Sequence, residues 1–198
     1  MPYASSASPG RLYALAEPQA GYFTAAQAQT AGFSHSLLAY QVKTGRFLRV
    51  DHGIYRLAQF PHSPFEDLYA AWLKAGPAAV ISHESALVVY GLSDHLPGAV
   101  HLIVPRTASR RRTGLRLHTH HLERQDITRR EGLPLTTVPR TLADVAAGGL
   151  AEELVVQATQ EALQRGLTTH ATLRAYAQRR GGRGARLLLK TLEQVGGP

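Results

Sequence analysis

Three groupings of residues in this chain have types and spacing that could do chemistry. In "GLRLHTHHL", His118 and His120 stand one residue apart, which on an extended strand puts two imidazoles on one face, the start of a metal site. The third imidazole, His121, would point away, and no cysteine or aspartate stands nearby in sequence. These histidines therefore read as polar residues on the exposed face of a basic strand. "ISHESA" sets Ser82, His83 and Glu84 in succession, the residue types of a nucleophilic triad. Consecutive helical residues point in different directions, however, and no nucleophile elbow or glycine frame surrounds the serine. The stretch reads instead as a helix start capped by Ser82, with Ser85 or Glu84 near the positive helix end. The third chemistry is that of a metal-dependent nuclease, which needs two or more carboxylates for Mg²⁺ and commonly a Glu-x-Lys pair. The chain contains no Glu-x-Lys or Asp-x-Lys, and its acids are mostly scattered. "GGRGAR" lacks the preceding strand and the Lys-Ser/Thr pair of a phosphate loop. No catalytic, cofactor-binding or metal-binding residue is expected.

Charge points elsewhere. The 198 residues carry a formal net charge of +8, and the sequence pI is about 10.2, so the partner should be a polyanion. No long uncharged apolar run and no signal-peptide pattern occurs, which argues against membrane and for a cytoplasmic protein. Cysteine is absent, so there is no disulfide frame, thiol nucleophile or Cys-based zinc site. Only the ends, "MPYASSASPG" and "QVGGP", read as frayed.

The elements that would present this charge lie first in residues 1–60. Ser8 before Pro9 starts a short helix over 9–17 with an apolar stripe of Leu12, Leu15 and Ala16. "GYFT" is extended. Thr24 and Gln27 have the spacing of a capping box, which opens a second helix over 25–31 that Gly32 stops. Ser34 caps a third helix from His35 to about Thr44, stopped by Gly45. Leu38 and Val42, with Leu37 beside them, fall on one side of it and can pack on the second helix. This is a helix-turn-helix. "RFLRVDHGIYRL" then alternates about Asp51-His52-Gly53 as a hairpin, a wing. The expected DNA-contacting face comprises His35, Ser36, Ala39, Tyr40, Lys43, Arg46, Arg49, His52 and Arg56, with Arg49 and Arg56 on phosphates.

Residues 61–198 read as a second domain. "SPFEDLYAAWLKAG" is an amphipathic helix starting at Ser63-Pro64, its Trp72 belonging to the core. "GAVHLIVP" and "GLRLHTHHL" are paired strands joined by an arginine-rich loop. Further extended pieces and a helix opening at Pro139 follow, and then a helical tail near 150–164, 168–179 and 183–194. The fold class is therefore α+β: an N-terminal winged helix-turn-helix, a mixed α+β domain and a helical C-terminal tail. Arg110, Arg111 and Arg112 in the loop, and Arg179, Arg180 and Arg183 in a tail with no compensating acid until Glu193, are further sites for nucleic acid or an acidic partner.

"GYFTAAQAQTAGFSHSLLAYQVKTGRFLRVDHGIYRL" resembles the N-terminal domain of AbiEi-type antitoxins of type IV toxin-antitoxin systems, and "ISHESALVVYGLSDHLPGAVHLIVP" with "GLPLTTVPRTLADVA" is similar to their second domain. The resemblance implies a transcriptional autorepressor that binds double-stranded DNA at repeats in its own promoter. It further implies an antitoxin counteracting a nucleotidyltransferase toxin without a stable complex between the two. The alternatives are a restriction-like metal-dependent nuclease, since some chains with this N-terminal half continue so, and a protein-interaction module whose winged helix is structural.

Overall fold

A computed structural model describes residues 7–93, 97–108, 110 and 112–196; the outermost residues of both ends expected to fray, and Arg111, lie outside them. The protein is a mixed α+β chain of two units. One runs up to Ala78 and takes in Glu131–Leu133; the other is built from Ala79–Arg130 and the chain from Pro134 onward.

The first unit follows the order α1 (Pro9–Ala16), β1 (Tyr22–Thr24), α2 (Ala25–Thr30), α3 (His35–Lys43), β2 (Phe47–Asp51), β3 (Ile54–Leu57) and α4 (Glu66–Ala75). Polar caps fix where the helices begin. The Arg11 amide donates to Ser8 Oγ, the Leu37 amide donates to Ser34 Oγ, and Thr24 with Gln27 closes a reciprocal capping box at the head of α2. The three strands form an antiparallel sheet of order β1-β3-β2. Leu12, Ala16, Phe23, Ala28, Phe33, Leu38, Phe47 and Leu57 are buried together. Phe47 meets Phe23 edge-on with ring centroids 5.1 Å apart, so the base of the wing is fastened to the helix core by aromatic packing.

Two expectations change here. The first unit does not end at residue 60. Helix α4 packs on β1 and β3, with Tyr69 stacked on Tyr22 at 5.6 Å and Trp72 buried, so the boundary falls after Ala78. The helix also starts at Glu66, because Ser63 accepts from the Phe65 amide in a turn rather than capping at Pro64.

The second unit contains β4 (Val80–Ile81), α5 (His83–Tyr90), β5 (Val100–Ile103), β6 (Leu115–His118), β7 (Ile127–Arg130), β8 (Leu133–Thr136), α6 (Val138–Gly148), α7 (Glu152–Gln164), α8 (His170–Arg180) and α9 (Gly182–Gln194). Its five strands lie in the order β6-β5-β4-β8-β7. Strands β5 and β6 pair as expected, but in parallel, with Val100 opposite Leu115. The stretch between them, including a 3-10 turn over Arg106–Ala108, therefore has to carry the chain back along the sheet. No helix among the described residues is long and apolar enough to cross a membrane.

Helices α6, α8 and α9 pack on one another, and their closest approach depends on one residue. A Cβ on the buried Gly184 would lie 2.5 Å from the Ala143 carbonyl oxygen, a backbone atom that cannot turn aside. Gly184→Ala should push α9 off α6 and cost about 1–3 kcal/mol, the usual range for overpacking. Urea denaturation checks this; an unchanged midpoint would mean that the helices part freely.

Candidate functional site

Two places in the molecule gather polar and charged side chains. The first is the outer side of α3 with the wing. Leu38 is buried, and Leu37 and Val42 lean on the same core. That inward face leaves His35, Ser36, Ala39, Tyr40, Lys43 and Arg46 exposed, and Arg49 and His52 of the wing are exposed as well. Tyr40, at 58% exposure, is the most exposed large apolar residue among the described ones. His35 does not hang free: its ring lies 2.8 Å from the Gln29 amide nitrogen, across the turn between the two helices. At the wing tip, Asp51 accepts from the His52 amide at 2.6 Å and from Lys74 of α4 at 2.5 Å. These hydrogen bonds hold the Asp51 carboxyl below its ordinary range. The acid on the same strand as the exposed Arg49 is thereby partnered within the unit.

Arg56 departs from the expected face. It is 3% exposed and donates from Nη2 to the carbonyls of Phe60 at 2.6 Å and Pro61 at 2.9 Å, with Glu66 at 3.9 Å. Strand alternation is the reason: Arg56 lies opposite Tyr22 and Leu48, on the face covered by α4, not on the face that carries Arg49. Its guanidinium closes the turn after β3 and is not available to a phosphate.

In the second unit, Arg110 and Arg183 are exposed and Arg112 is half-buried. The tail arginines are less free than the run suggests, because their counter-charges come from distant parts of the chain. Arg180 donates to Asp144 at 2.8 Å, while Arg179 lies 3.9 Å from Asp126 and over the Tyr176 ring at 5.1 Å. Both acids also serve Arg140, which is buried and donates to Asp144 at 2.7 Å, to Asp126 at 3.0 Å and to the His121 carbonyl at 3.0 Å. A cavity of 360 Å³ opens beside this network, lined in part by His120, His121, Glu123 and Arg179.

Next to it lies the second gathering, of histidines. Ser82 does not cap α5 with its side chain. Its Oγ lies 3.0 Å from His83 Nδ1, and Ser85 Oγ accepts from the His101 amide at 2.9 Å. His83 stacks on His118 with centroids 3.7 Å apart, and His101 sits 5.3 Å from His118. The reading of the strand histidines as exposed polar residues fits His120 and His121, which follow the end of β6. It does not fit His118, whose Nε2 is buried without a hydrogen-bond partner. One potential ligand atom each from His83, His101 and His118, and likewise from His83, His120 and Asp144, lie within 4.8 Å of one another. The aspartate missing from the local sequence is thus supplied by α6. Burial pushes His83 down to about 2, with the neighbouring histidines and Arg140 adding to the effect. Burial also pushes His101 and His118 down to about 4, Arg116 contributing to both, His101 and His120 adding at His118, and Asp144 opposing there.

Arg56→Ala would leave two turn carbonyls without their donor and should destabilise the first unit by about 1–3 kcal/mol. A melting curve checks this, and a variant as stable as the parent would return Arg56 to the surface role. The depressed histidines set a pH dependence. Below the ordinary value of 6.5, the unfolded chain takes up protons that folded His83, His101 and His118 refuse until about 2 or 4. Their contribution to stability is therefore full above pH 6.5 and falls as the pH drops toward 4. Urea midpoints measured between about pH 7.5 and 5 should decline, and a flat profile would contradict the burial of these rings.

Comparison with known proteins bears on the first of the two gatherings. No curated protein matches the chain. Residues 11–58 match the model of a family described as transcriptional regulator, AbiEi antitoxin, a span running from within α1 to just past β3. The helices and wing that carry the exposed face are thus the part of this chain that is similar to the AbiEi antitoxin regulators.

Proposed function

We propose that the protein is a DNA-binding transcriptional autorepressor and the antitoxin of a type IV toxin-antitoxin system. It acts in the cytoplasm, opposing a nucleotidyltransferase toxin without a stable complex between them. The observation that carries this reading is the division of α3 and the wing into two faces. Leu38 and Phe47 are buried, and eight of the nine expected contact residues are exposed: His35, Ser36, Ala39, Tyr40, Lys43, Arg46, Arg49 and His52. A helix with small and hydrogen-bonding residues outward can enter a major groove, where Ser36 and Tyr40 meet base edges. Lys43, Arg46 and Arg49 then meet the phosphates on either side, and His52 at the wing tip extends the reach. The match over residues 11–58 supports the regulator role. Arg110, Arg112, Arg179, Arg180 and Arg183 are further contacts for nucleic acid or an acidic partner, with Arg179 and Arg180 already partly engaged by Asp126 and Asp144.

The reading is of a non-enzyme. Strands β4 to β8 carry no acidic residue, whereas a restriction-like nuclease holds its metal on strand-borne carboxylates.

The direct test is a shift assay with the fragment upstream of its own operon. Specific binding is expected, with affinity falling roughly 10³- to 10⁵-fold between 50 and 200 mM salt if six to ten phosphates are neutralised. No preference over random DNA would leave the winged helix a structural or protein-binding element. Lys43→Ala and Arg49→Ala should weaken all sequences alike and each lower the salt slope by about 1, whereas Ser36→Ala and Tyr40→Ala should change which sequence is preferred. The same response from both pairs would overturn this division of roles.

A further inference from the structure

We infer that His83, His101 and His118 form a binding site for a divalent transition-metal ion of the Zn²⁺ class in the second unit, apart from the DNA-reading face. The three side chains come from separate elements, the first residue of α5, the second of β5 and the last of β6, yet one ring nitrogen from each lies within 4.8 Å of the others. Each ring has one nitrogen engaged or faced by a polar group and another left over, or is simply unpartnered. His83 Nδ1 meets Ser82 Oγ at 3.0 Å, which leaves Nε2. His101 Nε2 is 4.0 Å from a Glu84 carboxylate oxygen, while its Nδ1 is buried without a partner. His118 Nε2 is buried and also without a partner. A buried imidazole nitrogen with no hydrogen bond leaves its desolvation uncompensated, and His101 and His118 each carry one while belonging to a set whose ligand atoms lie within 4.8 Å of one another.

The surroundings have the form that metal-ligating histidines usually have. The Ser82 hydroxyl at His83 Nδ1 is the kind of outer group that fixes a ligand ring's tautomer and orientation, while the Glu84 carboxylate, 4.0 Å from His101 Nε2, is a charged neighbour beyond hydrogen-bond reach. Three imidazoles select Zn²⁺, Co²⁺, Ni²⁺ or Cu²⁺ over Mg²⁺ or Ca²⁺, which require oxygen ligands. His118 is half-buried and the exposed His120 lies beside it with ring centroids 5.9 Å apart, so an ion has a way in and water can complete a fourth position. Loading requires movement. Nitrogens on tetrahedral Zn²⁺ sit about 3.3 Å apart, and the parallel His83 and His118 rings must turn out of their stack so that their lone pairs converge. Asp144 and His120 make a second grouping with His83, but Asp144 is already held by Arg140 and Arg180, which leaves the all-histidine set as the site.

Calorimetric titration of the chelator-stripped full chain with Zn²⁺, and optical titration with Co²⁺, test this. One ion per chain should bind, with a Co²⁺ spectrum of four- or five-coordinate nitrogen ligation, and Zn²⁺ should raise the melting temperature by mass action. His101→Gln and His118→Gln, checked for native circular dichroism, should each weaken binding by at least about tenfold, and His120→Ala should leave it unchanged. Absence of stoichiometric binding by the parent chain overturns the proposal without recourse to any variant. So does binding that His120→Ala abolishes while His101→Gln does not.

Discussion

The second unit is organised around a guanidinium that cannot be left unneutralised. Arg140 is 3% exposed, and the two carboxylates that answer it, Asp126 and Asp144, are as deeply buried. Removing one partner of such a group leaves an uncompensated buried charge, at a cost of about 3–5 kcal/mol. Each element that contributes to the network is thereby held in one place. Asp126 sits just before β7, the His121 carbonyl just beyond β6, Asp144 one turn along α6, and Arg180 at the end of α8. A guanidinium offers donors in a fixed planar fork, so the sheet margin and the helices are set in register by geometry as well as by charge. The histidine cluster inherits this order, because His83 opens the helix that packs on α6 and His118 ends the strand that leads to His121.

The first unit depends on apolar packing instead, and its outer chemistry is what that packing leaves over. Phe33, Leu38 and Phe47 converge from the turn, the third helix and the wing. Burying them turns the remaining residues of α3 outward with no further specification. Strand alternation does the same in the wing, with consequences that separate two arginines of similar appearance. Arg49 is exposed, while Arg56, across the β2–β3 ladder, is turned under α4 and serves as a turn brace. An identical side chain is a surface cation or a structural crosslink according to the parity of its position.

Much of this was legible in the sequence because it is local. Ser8, Thr24 and Ser34 mark three helix starts, and Gly32, Gly45 and Gly53 mark stops and a turn, each by rules that act within a few residues. What was hidden is non-local. Arg140 and Asp144 are four apart in "PRTLAD", a spacing that signals an ion pair, but nothing in the sequence announces that Asp126 and Arg180 complete it. The meeting of His83 and His101 with His118 is hidden because it requires a helix start to face the β5–β6 pair, and the sequence does not show that this pair is parallel. The tail arginines looked uncompensated because their acids lie dozens of residues upstream. The membership of α4 in the first unit is hidden for a similar reason, since the helix is amphipathic in a way that does not reveal which sheet it covers.

One feature of the wing bears on how the molecule behaves in company. Strand β2 is the outer strand of its sheet, and it carries Leu48 and Val50 at 42% and 43% exposure. An open edge with apolar side chains is the surface on which copies of a chain extend one another's sheets and come out of solution. Here the ladder is broken by an irregularity between Arg49 and Asp51, and Arg49 sets a positive charge on the same edge, so an incoming identical strand would meet a mismatched register and a like charge. The exposed cation is a repellent to a second copy of the same strand. The charge and the irregularity of this edge thus both work against edge-to-edge pairing of two copies.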